Sequence, residues 1–155
     1  MTEAALDRTD RRIVDALQRD GRLANNELAA KVSLSPSPCL RRVRSLEESG
    51  VIKRYVALVD PVKVGLGMLA YVSVKLEKNG QMPSGEFASA VNSWSEVTEC
   101  YAMTGDVDYL LRVQVKDLDH FSSFLVGKLL KQHYVIDVKS SFALERVKET
   151  TVLPL

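Results

Sequence analysis

Apolar residues recur at helical spacing through the first third of the chain and at alternating spacing through much of the rest. Ile13, Val14 and Leu17 share one side of a first helix, which Asp7 is placed to cap and which ends near Gly21. Residues 25–32 read as a short second helix, Ser33-Leu34-Ser35 as a tight turn, and Leu40, Val43 and Leu46 as the buried stripe of a third helix. Ser35 is a favoured N-cap for that helix, and Pro36 falls at its first position, where a missing N–H costs nothing. Pro38 still lies in the first turn, which leaves the Ser37 amide as the expected target of the Ser35 hydroxyl. Gly50 follows the last turn as a residue able to close the helix in a left-handed conformation.

Beyond Gly67 the period changes. Val72, Val74 and Leu76 alternate with Ser73 and Lys75, which predicts a strand. Phe87, Val91 and Trp94 share a helical face, and residues 97–103 and 109–115 read as two strands joined through 104–108. Leu118, Phe121, Phe124, Leu125 and Leu129 make a second helix amphipathic, and residues 138–147 form a last strand. The fold class is therefore α+β: an N-terminal winged helix-turn-helix domain and a C-terminal ferredoxin-like βαββαβ domain. Pro61, Gly65 and Gly67 punctuate the boundary, giving domains 1–59 and 68–155 with a hinge at 60–67. The last strand carries apolar residues at both parities, Phe142 and Leu144 against Ala143 and Val147. That predicts an apolar second sheet face and a sheet-to-sheet homodimer.

Charge changes the picture of the third helix. Turning it by about 100° per residue puts Arg41 opposite the buried stripe, with Ser37, Pro38 and Ser45 beside it. Arg42 and Arg44 flank that face. Residues 31–54 hold six basic residues and two acidic ones, an excess that the whole-chain net charge of +1 conceals. A basic helix face alone is more often a solvated surface. A short helix, a tight turn and a basic second helix together are a helix-turn-helix, a double-stranded DNA reader. Lys53 and Arg54 then fall in a short basic hairpin, the wing. On this reading Arg41 reaches a base, Ser35, Ser37 and Pro38 shape the close approach, and Arg42, Arg44 and Lys53 meet phosphates. Two recognition helices per dimer would read a roughly palindromic site.

Other classes are argued against on the same grounds. No apolar run is long enough to span a bilayer, and the N-terminus lacks the apolar core of a signal peptide. Cys39 and Cys100 form no metal-like cluster and read as small core residues, which suits a reducing cytoplasm. Metal-ligand spacing, a phosphate-binding glycine loop and a nucleophile motif are absent, so neither cofactor nor enzyme activity is expected. Asp106 and Asp108 could be cast with His120 or His133 as an acid–base set, but nothing in the sequence brings them together. The turn itself is ambiguous. Gly105 can expose amides to an anion beside the Asp106 and Asp108 carboxylates, as a free amino acid requires, yet an ordinary hairpin turn uses the same residues.

Several pieces together resemble the Lrp/AsnC, or feast/famine, family of transcription regulators. They are Leu6-Asp7-Arg8-Thr9-Asp10, Asp20-Gly21-Arg22, Glu27-Leu28-Ala29, the 34–40 run, Leu46-Glu47-Glu48-Ser49-Gly50-Val51-Ile52 and Gly105-Asp106-Val107-Asp108-Tyr109. They span nearly the whole chain. The resemblance implies a DNA-binding N-terminal domain and a C-terminal domain that binds an amino-acid effector and builds dimers, assembled further into octamers. It implies an effector neighbourhood of Tyr101, Met103, Thr104, Gly105, Asp106, Asp108, Leu118, Val138 and Ser140. There Asp108 is the expected partner of the ammonium group and the Gly105 region that of the carboxylate. Met103, Leu118 and Val138 would meet an apolar side chain, pointing to leucine or methionine. The alternative is a DNA-organising oligomer that ignores small ligands. Two positions depart from the family's pattern: Ala24 stands where a Ser commonly begins the second helix, and Tyr134 where a Gly commonly precedes the last strand. A positive φ at Tyr134 would be strained and would alter the turn leading into the effector region.

Overall fold

The computed structural model describes residues 6–77 and 84–155. The chain divides into two compact units, Met1–Leu58 with Lys148–Leu155, and Val59–Val147. The sequence placed the last residues with the sheet; the structure groups them with the first unit.

The first unit holds three helices, α1 (Arg8–Arg19), α2 (Asn25–Val32) and α3 (Pro36–Glu48). Asp7 caps α1 as expected: its Oδ1 accepts the Asp10 amide at 2.7 Å, and Asp10 Oδ2 accepts the Asp7 amide at 3.3 Å. At α2 only half of such a box exists. Glu27 Oε2 accepts the Ala24 amide at 3.2 Å, and the Ala24 methyl has nothing to return. Asn25 does not stand in as a cap; its Nδ2 donates to the Pro36 carbonyl at 2.9 Å and ties α2 to the start of α3. The turn between them passes through Ser33 at φ 59° and ψ 45°, the one positive-φ residue other than glycine among those described.

Ile13, Leu28, Ala29, Val32, Cys39 and Leu46 make the buried core of this unit. Leu40 is a correction: it is 38 % exposed, and Cys39 at 0 % takes its place in the stripe. The Ser35 hydroxyl is a second one, because Ser35 sits at the N-cap without a side-chain capping bond. With Pro36 and Pro38 supplying no N–H, little is left for that hydroxyl to satisfy. After Gly50, at φ 75°, residues 51–60 form neither helix nor strand, so the wing is a single segment rather than a paired hairpin. Tyr55 holds it back on the helices. Its hydroxyl donates to Glu47 Oε1 at 3.0 Å, and its ring packs 3.4 Å from where a Cβ on Gly21 would stand.

The second unit is a four-stranded antiparallel sheet in the order β2-β3-β1-β4, from β1 (Met68–Leu76), β2 (Val97–Ala102), β3 (Tyr109–Val115) and β4 (Val135–Phe142). Helices α4 (Ser84–Ser93) and α5 (Leu118–Phe124), the latter continued by a π-turn at Leu125–Leu129, supply the rest of the core. Phe87, Trp94, Phe121, Phe124 and Leu129 pack with Ala70, Val72, Val74, Leu111, Val113 and Val115. This is the ferredoxin-like arrangement that the element order predicts. Gln114 Nε2 donates to the Leu66 and Met68 carbonyls, fastening the segment before β1 to the sheet.

Four expectations about this unit change. The last strand ends at Phe142, and Leu144 and Val147 beyond it are 100 % and 90 % exposed. Phe142 pairs with Ala70 on the helix-covered face and meets the Phe121 ring at 5.0 Å. The open face mixes Leu69, Leu110, Tyr71 and Tyr101 with Glu99, Arg112, Lys75 and Lys139, so it is a mixed apolar, aromatic and charged face rather than a uniformly apolar one. Cys100 is exposed on edge strand β2, not a core residue. Finally, Tyr134 does not have a positive φ. It is buried in the core against Phe87, and its hydroxyl donates to Gln132 Oε1 at 2.9 Å.

Candidate DNA-reading helix and effector region

Helix α3 turns Ser37, Leu40, Arg41, Arg44, Ser45 and Glu48 toward one shallow exposed hollow. Arg41 and Arg44 are exposed there, with neither ion pair nor hydrogen bond among the described residues. Ser35, Ser37 and Lys53 are also exposed, and Pro38 is half-buried at the first turn. Two free guanidinium groups on a rigid helix, beside small residues, form a surface matched to a groove lined by phosphates.

Arg42 is placed differently from its expected role. Its Nη1 lies 2.6 Å from Asp7 Oδ2 and 2.7 Å from Asp10 Oδ1, bridging α3 to the capped start of α1. The Asp10 and Asp7 carboxylates raise the Arg42 guanidinium above its ordinary value. Asp7 is held low in return, by the Asp10 amide first and the Arg42 guanidinium next. The charge count over residues 31–54 hid this, because both acids lie upstream of that window. Arg42 orients the helix; Arg41 and Arg44 remain free.

In the second unit the 103–108 turn is built as the sequence suggests at Gly105, whose φ is 107°. The turn closes through the Met103 amide, which donates to the Asp108 carbonyl at 2.9 Å. Asp108 is also committed to the sheet: its amide donates to the Val74 carbonyl, and its Oδ2 accepts the Leu76 amide at 2.8 Å. Thr104, Gly105 and Asp106 are exposed, as are Met103 and Leu118 at 42 % and 57 %. Leu118 is thus not on the buried face of its helix.

One protomer does not bring the predicted effector residues together. Tyr101 and Met103 belong to the β2 edge and Val138 and Ser140 to β4, at the opposite edge of the sheet. At about 4.8 Å per strand spacing, those edges lie on the order of 14 Å apart. Tyr101 also faces the open side, with its hydroxyl on Glu99 Oε2 at 2.7 Å, whereas Val138 and Ser140 pair with Val74 and Val72 on the covered side. Convergence of these residues requires more than one copy.

A further polar cluster had no signal in the sequence. Lys128 Nζ, in the π-turn, donates to both Glu96 oxygens at 2.8 Å, and His120 Nε2 lies 3.7 Å from Glu96 Oε1. Burial pushes the Glu96 carboxyl up, but Lys128, its own amide and His120 together hold it below its ordinary value. These residues, separated by 32 positions, staple the π-turn to the start of β2. Among the described residues there is no cluster of His, Cys, Asp and Glu able to hold a metal, and no helix long and apolar enough to cross a membrane.

A helix-turn-helix unit with free arginines and a ferredoxin-like unit with a glycine turn define a DNA-binding regulator carrying a sensor domain. Comparison with known proteins agrees. Residues 6–53 match a winged helix-turn-helix DNA-binding family, and residues 69–153 match the Lrp/AsnC ligand-binding domain. The leucine-responsive regulatory protein of Klebsiella pneumoniae is 40 % identical over 148 residues, covering 96 % of this chain and 90 % of its own. That of Escherichia coli K12 is 39 % identical over the same shares. A transcriptional regulator from Neisseria meningitidis, solved as a complex with L-Met, superposes with a TM-score of 0.93 at 45 % identity, covering 97 % of each chain. An AsnC family regulator from Agrobacterium tumefaciens gives 0.90 at 44 %, covering 96 % of this chain and 97 % of its own. The chain belongs to the Lrp/AsnC family of transcriptional regulators, which pair a DNA-binding domain with an amino-acid-binding domain and are not enzymes.

Proposed function

We propose that this chain regulates transcription by reading specific DNA with α3, and that leucine or methionine changes its DNA affinity or assembly. The observation that carries the DNA reading is the pair of free guanidinium groups, Arg41 and Arg44, on a helix held from behind by Arg42 and by the Asn25–Pro36 hydrogen bond. Arg41 reads a base, Arg44 and Lys53 take phosphates, and Ser35, Ser37 and Pro38 keep the helix start narrow enough to approach. Arg42 acts through the position it gives α3.

The effector reading is supported by the exposed Gly105 turn and by Met103 and Leu118, apolar and exposed nearby in sequence order. A pocket built from Tyr101, Met103, Thr104, Gly105, Asp106, Asp108, Leu118, Val138 and Ser140 needs two or more protomers. The working assembly is therefore a homodimer that assembles further, to an octamer. The relative solved with L-Met agrees with an apolar amino acid as ligand.

A second reading is a DNA-organising oligomer indifferent to amino acids. What favours it is the use of Asp108 Oδ2 on the Leu76 amide. One experiment separates the two: the melting temperature of the full chain with each proteinogenic amino acid in turn. A ligand that binds only the folded protein raises the melting temperature by mass action. A rise with leucine or methionine supports the sensor, and no rise with any amino acid leaves the organiser.

A further inference from the structure

The end of the chain returns to the DNA-binding unit and is gripped there. Gln18, late in α1, uses both ends of its amide on a single residue. The Leu153 amide donates to Gln18 Oε1 at 2.6 Å, and Gln18 Nε2 donates to the Leu153 carbonyl at 3.3 Å. This reciprocal pair is what a neighbouring strand would offer, so it reads backbone rather than side chain. Thr150 Oγ1 accepts the Val152 amide at 3.2 Å just ahead of the grip. Leu155 then joins Ala16, Leu23 and Val32 in lining a hollow on α1.

The chain consequently leaves the DNA-binding unit after Leu58 and returns to it at Lys148, so two connections join it to the rest of the chain. We propose that Gln18 is a positioning residue that makes the C-terminal segment a second tether on the DNA-binding unit, strengthening the grip of a dimer on paired half-sites. The inference rests on the DNA reading above. When two linked modules bind one target, the second event is intramolecular, and its strength depends on how widely the connection lets the module wander. A second closed connection removes conformers that a single one allows. Binding of one unit to one half-site is untouched, because Gln18 and Leu153 are not on α3.

The test uses duplexes recovered by the wild-type chain from a random pool, kept with two half-sites or cut to one. Gln18→Ala removes both hydrogen bonds, and Leu153→Pro removes the amide donor without shortening the chain. Each is expected to weaken the paired duplex on the order of tenfold and leave the single half-site unchanged. The double variant should be no worse than either alone, since both act on one contact. Loss of hydrogen-exchange protection at the Leu153 amide in Gln18→Ala reports that the grip has opened. Equal weakening on both duplexes would show that the segment only supports the fold of the unit, and unchanged affinity for the paired duplex would show an idle tether; either overturns the proposal. A wild-type chain that recovers no duplex from the pool removes the DNA reading itself, and the tether with it.

Discussion

Asp108 Oδ2 accepts the main-chain amide of Leu76 at 2.8 Å, at the point where the register between β1 and β4 slips. Leu76 lies beyond the last β1–β3 pair, Val74 with Tyr109, so its amide has no ladder partner on that side, and the side chain of Asp108, just ahead of β3, supplies the acceptor. The same carboxylate is the proposed partner of an effector's ammonium group. On that proposal, structure and recognition meet on one residue.

The two duties separate by substitution. Asp108→Ala leaves the Leu76 amide unpaired and should cost about 1–3 kcal/mol of stability, read from urea denaturation. Asp108→Asn keeps an acceptor and removes the charge, so stability stays near wild type while the thermal shift with leucine or methionine disappears. An Asn variant that keeps its full ligand response would refute the ammonium role.

The arginines of α3 should divide by role. Arg41→Ala is expected to cost about 1–3 kcal/mol of binding and relax the preference at one position of the site. Arg44→Ala and Lys53→Ala should each weaken all sequences alike and flatten the salt dependence by about 0.9 in slope. Arg42→Ala should lower the melting temperature while leaving that slope unchanged, because its charge is already matched by Asp7 and Asp10. Titrations across a range of salt concentrations, with melting temperatures beside them, separate the base reader Arg41 from the two phosphate contacts and from Arg42.

Ser33 holds a left-handed conformation that costs a non-glycine residue roughly 1–2 kcal/mol. Glycine adopts it freely but gives up more freedom on folding, so Ser33→Gly should stabilise the protein by about 0.5–1 kcal/mol. A lower urea midpoint for that variant would show that the Ser33 side chain contributes something the backbone angle does not reveal.

Tyr55 predicts an alkaline transition. Burial first, and the Glu47 carboxylate next, push its phenol up to about 12. A phenol whose folded value exceeds its unfolded value of about 10 stabilises the fold below that pH. The contribution fades as pH rises from there through about 12. Glu47→Gln should bring the ionisation down, seen in the ultraviolet absorbance of tyrosinate, and Tyr55→Phe should remove the slope. Identical titrations of the wild type and Glu47→Gln would mean the contact is absent in solution.

Much of this architecture was legible in periodicity alone. Phe87, Val91 and Trp94, at helical spacing, are buried at 0 %, 6 % and 7 %. Val72 and Val74, at alternating spacing, lie in the covered sheet face. The same logic misread the ends. Leu144 and Val147 continue an apolar pattern past Phe142, but β4 pairs with β1 no further than Ala70 and Phe142, and alternation in sequence does not report where pairing ends. At Leu40 and Leu118 apolar character suggested burial, yet neither is buried: Cys39 fills the neighbouring core place, and Phe121 fills it in the other helix.

The sequence by itself determined the local structure: which segments are helical or extended, where Asp7 starts a helix and Gly50 ends one, and which helix carries the arginines. Those properties depend on residues within a few positions of one another, which spacing and composition report directly. Tertiary structure alone decided which arginine is free, because Arg42 meets Asp7 across 35 positions of chain. It likewise decided that Asp108 serves Leu76 across 32 positions and that Gln18 holds Leu153 across 135. A contact between distant residues is a property of packed surfaces rather than of any window of sequence, and it is there that the roles of these side chains are divided.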